Sequence, residues 1–205
     1  MQNIIIAGTD TSAATVIWTM TELARNTGVM RKAQDEVREV IGKKGQVEES
    51  DLLQLQYLKF VVNETLRLHP PLPLLLPRET TQHCEINGYH VSPRTRVFVN
   101  VWAIGRDENA WENPEEFNPD RFSESSVDYK GHDFQFLPFG AGRRICPGIN
   151  FGTATAELAL ANLLYAFNWE LPLGLKKEDI DMYEAPGIAT HKKIDLCLMA
   201  TNNRM

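Results

Sequence analysis

Phe139-Gly140-Ala141-Gly142-Arg143-Arg144-Ile145-Cys146-Pro147-Gly148 holds one cysteine between glycines and two arginines, just ahead of a helix start marked by Pro147. Cations and a helix amino terminus both favour thiolate over thiol, and the backbone N–H groups freed by Gly140, Gly142 and Gly148 can hydrogen-bond the sulfur. A thiolate placed in this way suits a metal or a nucleophilic role. A lone cysteine beside a glycine-rich turn is otherwise most often a small buried hydrophobe. A cysteine nucleophile would need a positioned histidine, and none of His69, His83, His90, His132 and His191 stands in a recognisable context for one.

The rest of the composition narrows the class without naming a chemistry. The chain has 205 residues, 43% of them hydrophobic, which is enough for one large domain or a piece of a bigger one. Its formal charge of −6 comes from 27 acids and 21 bases spread along the chain, which argues against a nucleic-acid or anionic-membrane surface. Cys84, Cys146 and Cys197 are odd in number and far apart, so neither a disulfide framework nor a zinc finger is expected. The amino terminus lacks a basic lead, and Thr9, Asp10, Thr11 and Ser12 break its apolar run. No signal peptide and no membrane span is expected in this chain.

Helical periodicity dominates the first seventy or so residues and returns after Cys146. The spacing predicts a helix over residues 3–26 stopped by Gly28, and a second over 29–41 stopped by Gly42. A third should begin after Ser50 or Asp51 as N-cap and end before Pro70-Pro71. Residues 72–76 read as extended and apolar, Asn87-Gly88 as the turn of a hairpin, and Val97, Val99 and Val101 as a strand. Residues 102–136, punctuated by Pro114, Pro119 and Gly131, read as short helical turns in a long ordered loop. A last helix over 148–167 carries Gly152, Ala154, Ala156, Ala159 and Ala161, small enough for close approach to a neighbour, and Ala185-Pro186-Gly187 opens a closing hairpin. The expected fold class is mainly α with small β-sheets.

Two further clusters stand out. Asp10 and Thr11 lie in an apolar segment; Asp10 reads either as an N-cap or, beside a reactive Cys146, as part of one continuous helix loosened at Gly8, with an acid and an alcohol facing a cavity. Glu64 and Arg67 are opposite charges at i and i+3, but Glu64 falls between Phe60 and Leu68 on an apolar stripe. The pair should therefore be partly buried and in need of further hydrogen bonds.

The spacing of Phe139, Gly142, Arg144, Cys146 and Gly148 resembles the haem-binding signature of the cytochrome P-450 superfamily. The segment Ala7-Gly8-Thr9-Asp10-Thr11-Ser12 resembles its oxygen-activation segment, Glu64 and Arg67 its Glu-x-x-Arg pair, and Arg121 in Phe117-Asn118-Pro119-Asp120-Arg121-Phe122 the arginine completing that triad. The four motifs occur in the family's order, and their wording looks most like the plant microsomal branch that decorates terpenoids, phenylpropanoids and alkaloids.

The resemblance implies the carboxy-terminal half of the cytochrome P-450 fold over residues 1–205, with haem b (iron protoporphyrin IX) as cofactor and the Cys146 thiolate as axial iron ligand, pushing electron density toward O–O cleavage. It implies that Arg144 and Arg78 pair with haem propionates, that Phe139 shields the sulfur, and that Asp10 and Thr11 relay protons to bound oxygen. It implies a structural triad of Glu64, Arg67 and Arg121. Pocket walls are implied at Ala7, at Leu72, Leu74, Leu75 and Leu76, and at Ile188, Ala189 and Thr190, suited to a lipophilic substrate.

The implied activity is a monooxygenase that inserts one oxygen atom of O₂, with electrons from NADPH–cytochrome P-450 reductase, in a parent protein on the cytosolic face of the endoplasmic reticulum membrane. Family members are more than twice this length, so the chain is expected to be a fragment that begins inside the oxygen helix, with Met1 an internal methionine of the parent. For the isolated chain, the other expectation is a non-catalytic haem-binding or misfolded fragment that keeps the motifs by descent.

Overall fold

The structure, a computed structural model, describes residues 2–203; Met1 lies outside the described residues. Four longer helices carry the core: α1 (Gln2–Arg25), α2 (Thr27–Ile41), α3 (Gln56–Leu68) and α5 (Ile149–Ala166). Between α3 and α5 lie β1 (Arg78–Glu79), β2 (Cys84–Ile86), β3 (Tyr89–Val91), β4 (Arg96–Val97) and the single-turn α4 (Val101–Ile104), and β5 (Phe167–Glu170) and β6 (Met199–Asn202) follow α5. The strands form three two-stranded antiparallel sheets, β1–β4, β2–β3 and β5–β6. The mainly α architecture with small sheets is the one expected.

Helix α1 is continuous through the Thr-Asp-Thr-Ser segment, and Asp10 is not an N-cap. The hydroxyls of Thr9, Thr11, Thr15, Thr19 and Thr21 each donate to the carbonyl four residues back, at 2.7–2.9 Å. Polar side chains satisfied inside their own helix can enter an apolar interior at little cost. Thr15, Thr19 and Thr21 do so, beside the fully buried Trp18 and Leu23.

Helix α2 buries Met30, Ala33, Val37 and Ile41, one stripe at helical spacing. From its other side Glu36 reaches the start of α3 and accepts from Tyr57 N at 2.7 Å and Leu58 N at 2.9 Å. A carboxylate from a neighbouring helix thus caps the orphan amides and answers the dipole of α3. Helix α5 lies close against α1: a Cβ on Gly152 would stand 3.9 Å from the Ser12 hydroxyl. Its buried face of Ala156, Leu160, Ala161 and Leu164 completes the core.

Several local expectations are corrected. Gly28 lies inside α2; the chain turns at Asn26 instead, at φ −115° and ψ 72°. Ser50 and Asp51 sit within a short 3-10 turn (Glu49–Gln54), closed by the Asp51 carboxylate on Glu48 N, and α3 starts after Leu55. Of the valine alternation only Val97 is in a strand. Asn100 caps Ala103 N and turns Val101 into the buried first residue of α4.

Residues 72–76 are not extended: Leu75 N bonds Leu72 O at 3.0 Å with Leu75 at φ +52°, a turn primed by Pro73. The closing hairpin is a single bridge, Glu184 to Lys192, and the last strand pairs with the segment after α5. The Asn87-Gly88 hairpin forms as expected, with φ of +48° and +82°.

One charge cluster holds the long loop between β4 and α5. Glu64 and Arg67 are essentially inaccessible, at 0% and 1% exposed, rather than only partly buried. Arg67 grips Glu64 with Nε and Nη2, both at 2.8 Å, and spends its remaining donors on the carbonyls of Gly105, Pro114 and Glu116. The Glu64 carboxylate also accepts from Arg121 Nε at 2.9 Å and Asn118 N at 2.8 Å. Trp111 lies over Arg67, 5.3 Å from guanidinium carbon to ring centroid, and packs on Phe122 and Phe136.

Glu64→Gln should therefore lower stability by about 3–5 kcal/mol, because it leaves Arg67 buried without its counter-charge. A urea-denaturation shift below about 1 kcal/mol would mean that the loop is held by other contacts. A second buried acid behaves oppositely. Burial pushes the Glu157 carboxyl up against the pull of Lys59, so the folded state holds its proton more tightly than the unfolded chain and stability falls as pH rises through that range. Glu157→Gln should raise the denaturation midpoint at pH near 8 and leave it unchanged at pH near 4, below the ordinary carboxyl pKa. Equal effects at both pH values would contradict this.

Candidate active site

The cysteine loop is built by backbone hydrogen bonds around two left-handed glycines. Cys146 N donates to Phe139 O at 3.0 Å, Ile145 N to Gly142 O at 3.1 Å and Gly140 N to Leu137 O at 3.0 Å. Gly140 and Gly142 take φ of +74° and +69°, where any other L-residue is strained. Cys146 is a half-buried free thiol, and a Cβ on Gly148 would be 3.9 Å from its Sγ. The 3-10 turn Gly142–Arg144 leaves the Arg143 and Arg144 side chains exposed, and neither has an acidic partner among the described residues.

Three supports hold this loop from outside. Arg78, placed by the β1–β4 pairing, donates from Nη2 to Arg144 O at 3.1 Å. Leu75 of the turn at residues 72–76 lies behind Gly140, where an added Cβ would find Leu75 Cδ1 at 3.5 Å. Gly131, at φ +85°, is packed so closely that a Cβ would meet Ile145 Cδ1 at 3.0 Å and the backbone of Ala141 and Gly140 at 3.1 Å. In sequence Gly131 reads only as loop punctuation. Tyr129 adds an edge-on contact to Phe139, ring centroids 5.4 Å apart.

Across the loop, Thr11 and Ser12 of α1, Phe139, and Gly152 and Thr153 of α5 line a crevice of about 30 Å³, the room of a water molecule or so. The structure thus brings Thr11 and Phe139 to one place. Thr11 Oγ1 donates to Ala7 O at 2.7 Å, leaving its lone pairs free to accept. Asp10 does not line this crevice and is exposed, as is Ala7 one turn earlier.

Leu74 and Leu76 are exposed and Leu72 and Leu75 half-buried, while Ile188 is exposed and Ala189 half-buried. Thr190 is 4% exposed, with its hydroxyl turned to Pro70 O and Pro71 O, so it supports the second wall and does not line it. Glu64, Arg67 and Arg121 meet as one cluster, behind the loop rather than in the crevice.

Comparison with known proteins shows the family. The family model described as Cytochrome P450 matches residues 1–198. The chain is 62% identical over 193 residues to Cytochrome P450 71A1 of Persea americana, covering 94% of this chain and 38% of that protein. It is 57% identical over 201 residues to Strychnine-11-hydroxylase of Strychnos nux-vomica, covering 98% of this chain and 40% of that protein. Among solved structures, a zebra fish cytochrome P450 with abiraterone superposes with a TM-score of 0.88 at 30% identity, covering 98% of this chain and 47% of the other. A structure of zebra fish cytochrome P450 with progesterone gives 0.86, again at 30% identity, over 98% and 44%. The chain spans about two fifths of the length of the curated relatives it matches. This chain belongs to the cytochrome P450 family, and the curated relatives most similar to it here are plant members.

Proposed function

We propose that this chain is the cysteine-bearing part of a haem-thiolate monooxygenase that oxygenates a lipophilic plant specialised metabolite of the terpenoid, phenylpropanoid or alkaloid kind. The observation that carries the reading is the juxtaposition of the glycine-hinged Cys146 loop with Thr11 of α1, across the crevice behind Phe139. The name of the Strychnos relative, a hydroxylase of strychnine, supports the alkaloid end of that range.

The residues present fit an iron porphyrin of the haem b type. A porphyrin supplies four of the iron's ligands and asks the protein for one donor; among the described residues no cluster of three or more His, Cys, Asp or Glu stands ready to hold a bare metal ion. A single half-buried thiol beside Gly148 meets that need. Arg78 and Arg144 meet at the loop, where their guanidinium groups would hold the two propionates. When bound, the haem supplies reductive activation of O₂, with the electron-rich thiolate favouring O–O cleavage.

Everything else is work for this chain's own groups. The Cys146 N–H bond to Phe139 O, in the loop hinged by Gly142 and Gly148, fixes the backbone that carries the sulfur, and the Phe139 ring, packed edge-on by Tyr129, would limit the access of water to it. Thr11 Oγ1, anchored by its own bond to Ala7 O, accepts a hydrogen bond from an ordered water and so holds a proton donor at the reacting site. Asp10, exposed one residue earlier, exchanges protons with solvent and passes them toward that water. Ala7, Leu72, Leu74, Leu75, Leu76, Ile188 and Ala189 offer apolar contact and few hydrogen bonds, which suits a lipophilic substrate.

The electron donor in this reading is NADPH–cytochrome P450 reductase, and the parent protein works at the cytosolic face of the endoplasmic reticulum. Within the described residues no helix is long and apolar enough to cross a membrane.

Two measurements test the reading. The reduced, carbon-monoxide-treated protein should show the red-shifted Soret band of a thiolate ligand, and Cys146→Ser should abolish it; persistence of the band in the variant would remove Cys146 from the iron. Thr11→Ala should slow product formation by roughly a hundredfold while NADPH consumption continues as hydrogen peroxide release. Unchanged coupling of NADPH to product would sink the relay.

A further inference from the structure

Thr190 follows Ala189 directly, and Pro70-Pro71 directly precede Leu72, so the two apolar segments read above as pocket walls meet where these residues touch. The contact uses every polar atom of Thr190. Its N–H donates to Pro71 O at 2.9 Å, its hydroxyl donates to Pro70 O at 2.7 Å and lies 3.2 Å from Pro71 O, and its carbonyl accepts from Trp18 Nε1 at 3.1 Å. Neither proline has an N–H, so this stretch cannot be held by a two-way strand ladder; its carbonyls are the handle it offers, and Thr190 takes both.

Beneath the contact, Trp18 is 0% exposed and stacked on His69, ring centroids 4.1 Å apart and planes within 2°. His69 Nε2 is 2.8 Å from Glu22 Oε1 on the next turn of α1, and Lys192 Nζ stands 5.0 Å over the Trp18 ring. Trp18 follows Thr11 by seven residues, two helical turns, and so shares its face of α1 at roughly 10 Å along the axis. Thr190 on Trp18 is thus a bolt that ties both walls to the helix face that carries Thr11.

We propose that Thr190, seated on Trp18, is a positioning residue that sets the separation of the two walls and their distance from Thr11, and so sets which ligand shapes the pocket accepts. The inference rests on the reading of residues 72–76 and 188–189 as pocket walls beside a haem. A hydrogen bond of this kind contributes up to about 1.4 kcal/mol, which is a tenfold change in affinity for a ligand that touches both walls.

The test is spectral titration of the haem-loaded protein with imidazole, which is too small to touch the walls, and with 1-phenylimidazole, which reaches them. Thr190→Val should weaken 1-phenylimidazole about tenfold relative to imidazole while the carbon-monoxide spectrum is kept. Thr190→Ser, which keeps the hydroxyl, should restore the ratio to within about twofold, and Trp18→Phe, which keeps a stacking ring but loses the N–H, should fall between them.

Independently of haem, amide exchange in residues 74–76 and 188–189 should quicken in Thr190→Val and stay unchanged in α3. An unchanged azole ratio in Thr190→Val, equal weakening of both azoles, or no rescue by Thr190→Ser overturns the proposal. So does loss of haem in both Thr190→Val and Trp18→Phe, which would make the bolt a folding element. If the unsubstituted protein binds neither azole and lacks the thiolate spectrum, the haem reading fails and takes the pocket with it; normal azole binding with an insensitive ratio is failure of the bolt alone.

Discussion

The Glu64 carboxylate, buried to the last fraction of its surface, is the constraint on which the carboxy-proximal part of the molecule depends. Two charges removed from water cost several kcal/mol each, and attraction between them offsets this only when the remaining lone pairs and protons are also used. Here they are. Glu64 accepts from Arg67, Arg121 and Asn118, and the donors Arg67 has left go to three loop carbonyls. The loop between α4 and α5 has only short 3-10 turns of its own, so its backbone groups must find partners elsewhere. The arginines supply them, and the aromatic cluster of Trp111, Phe122 and Phe136 covers the result. From Phe136 the chain runs directly into Phe139 and the cysteine loop, so an error in seating the ion pair is carried to the sulfur.

Helix α1 solves a related problem by different means. It passes through the core carrying five threonines whose hydroxyls all bond back one turn. The Thr19 hydroxyl also lies 3.1 Å from that of Thr65 of α3, whose own proton goes to Val61 O. The same local satisfaction leaves Thr11 with free lone pairs but no spare proton in this arrangement, so it can receive a hydrogen bond from water without itself being an uncompensated buried group. A packing device and the chemical role proposed for Thr11 thus have one origin.

How much of this was legible in the sequence follows from the range of the forces involved. Helical periodicity located α1, α2, α3 and α5, and the Asn87-Gly88 pair located its hairpin, because these depend on neighbours within a turn or two. The apolar stripe around Glu64 pointed toward burial, though not its completeness. Gly28 misled because glycine inside a helix costs only about 1 kcal/mol and packing of Met30 and Ala33 overrides it. Val101 misled because alternation over three valines does not register an Asn100 cap. The Glu36 cap on α3 and the Thr190–Trp18 contact join residues 21 and 172 positions apart, through single side chains with no local pattern. Nothing in a one-dimensional reading announces them.

The cysteine loop was legible for the opposite reason, and the structure shows why its wording is dense. Ten residues must reverse the chain twice, bring Cys146 N back to Phe139 O, start a helix, and leave one face open. Gly140 and Gly142 supply the positive φ angles, and Arg144 supplies the carbonyl that Arg78 reads. Each requirement acts within the loop, so it is written within the loop. Gly131 shows the limit of that argument. It is as tightly held against Ala141 and Ile145 as anything in the motif, but it stands 15 residues before Cys146, in a separate stretch of chain. A constraint appears as a motif when the chain that imposes it is also the chain that satisfies it; where the two are separated, the same physics leaves only an isolated glycine.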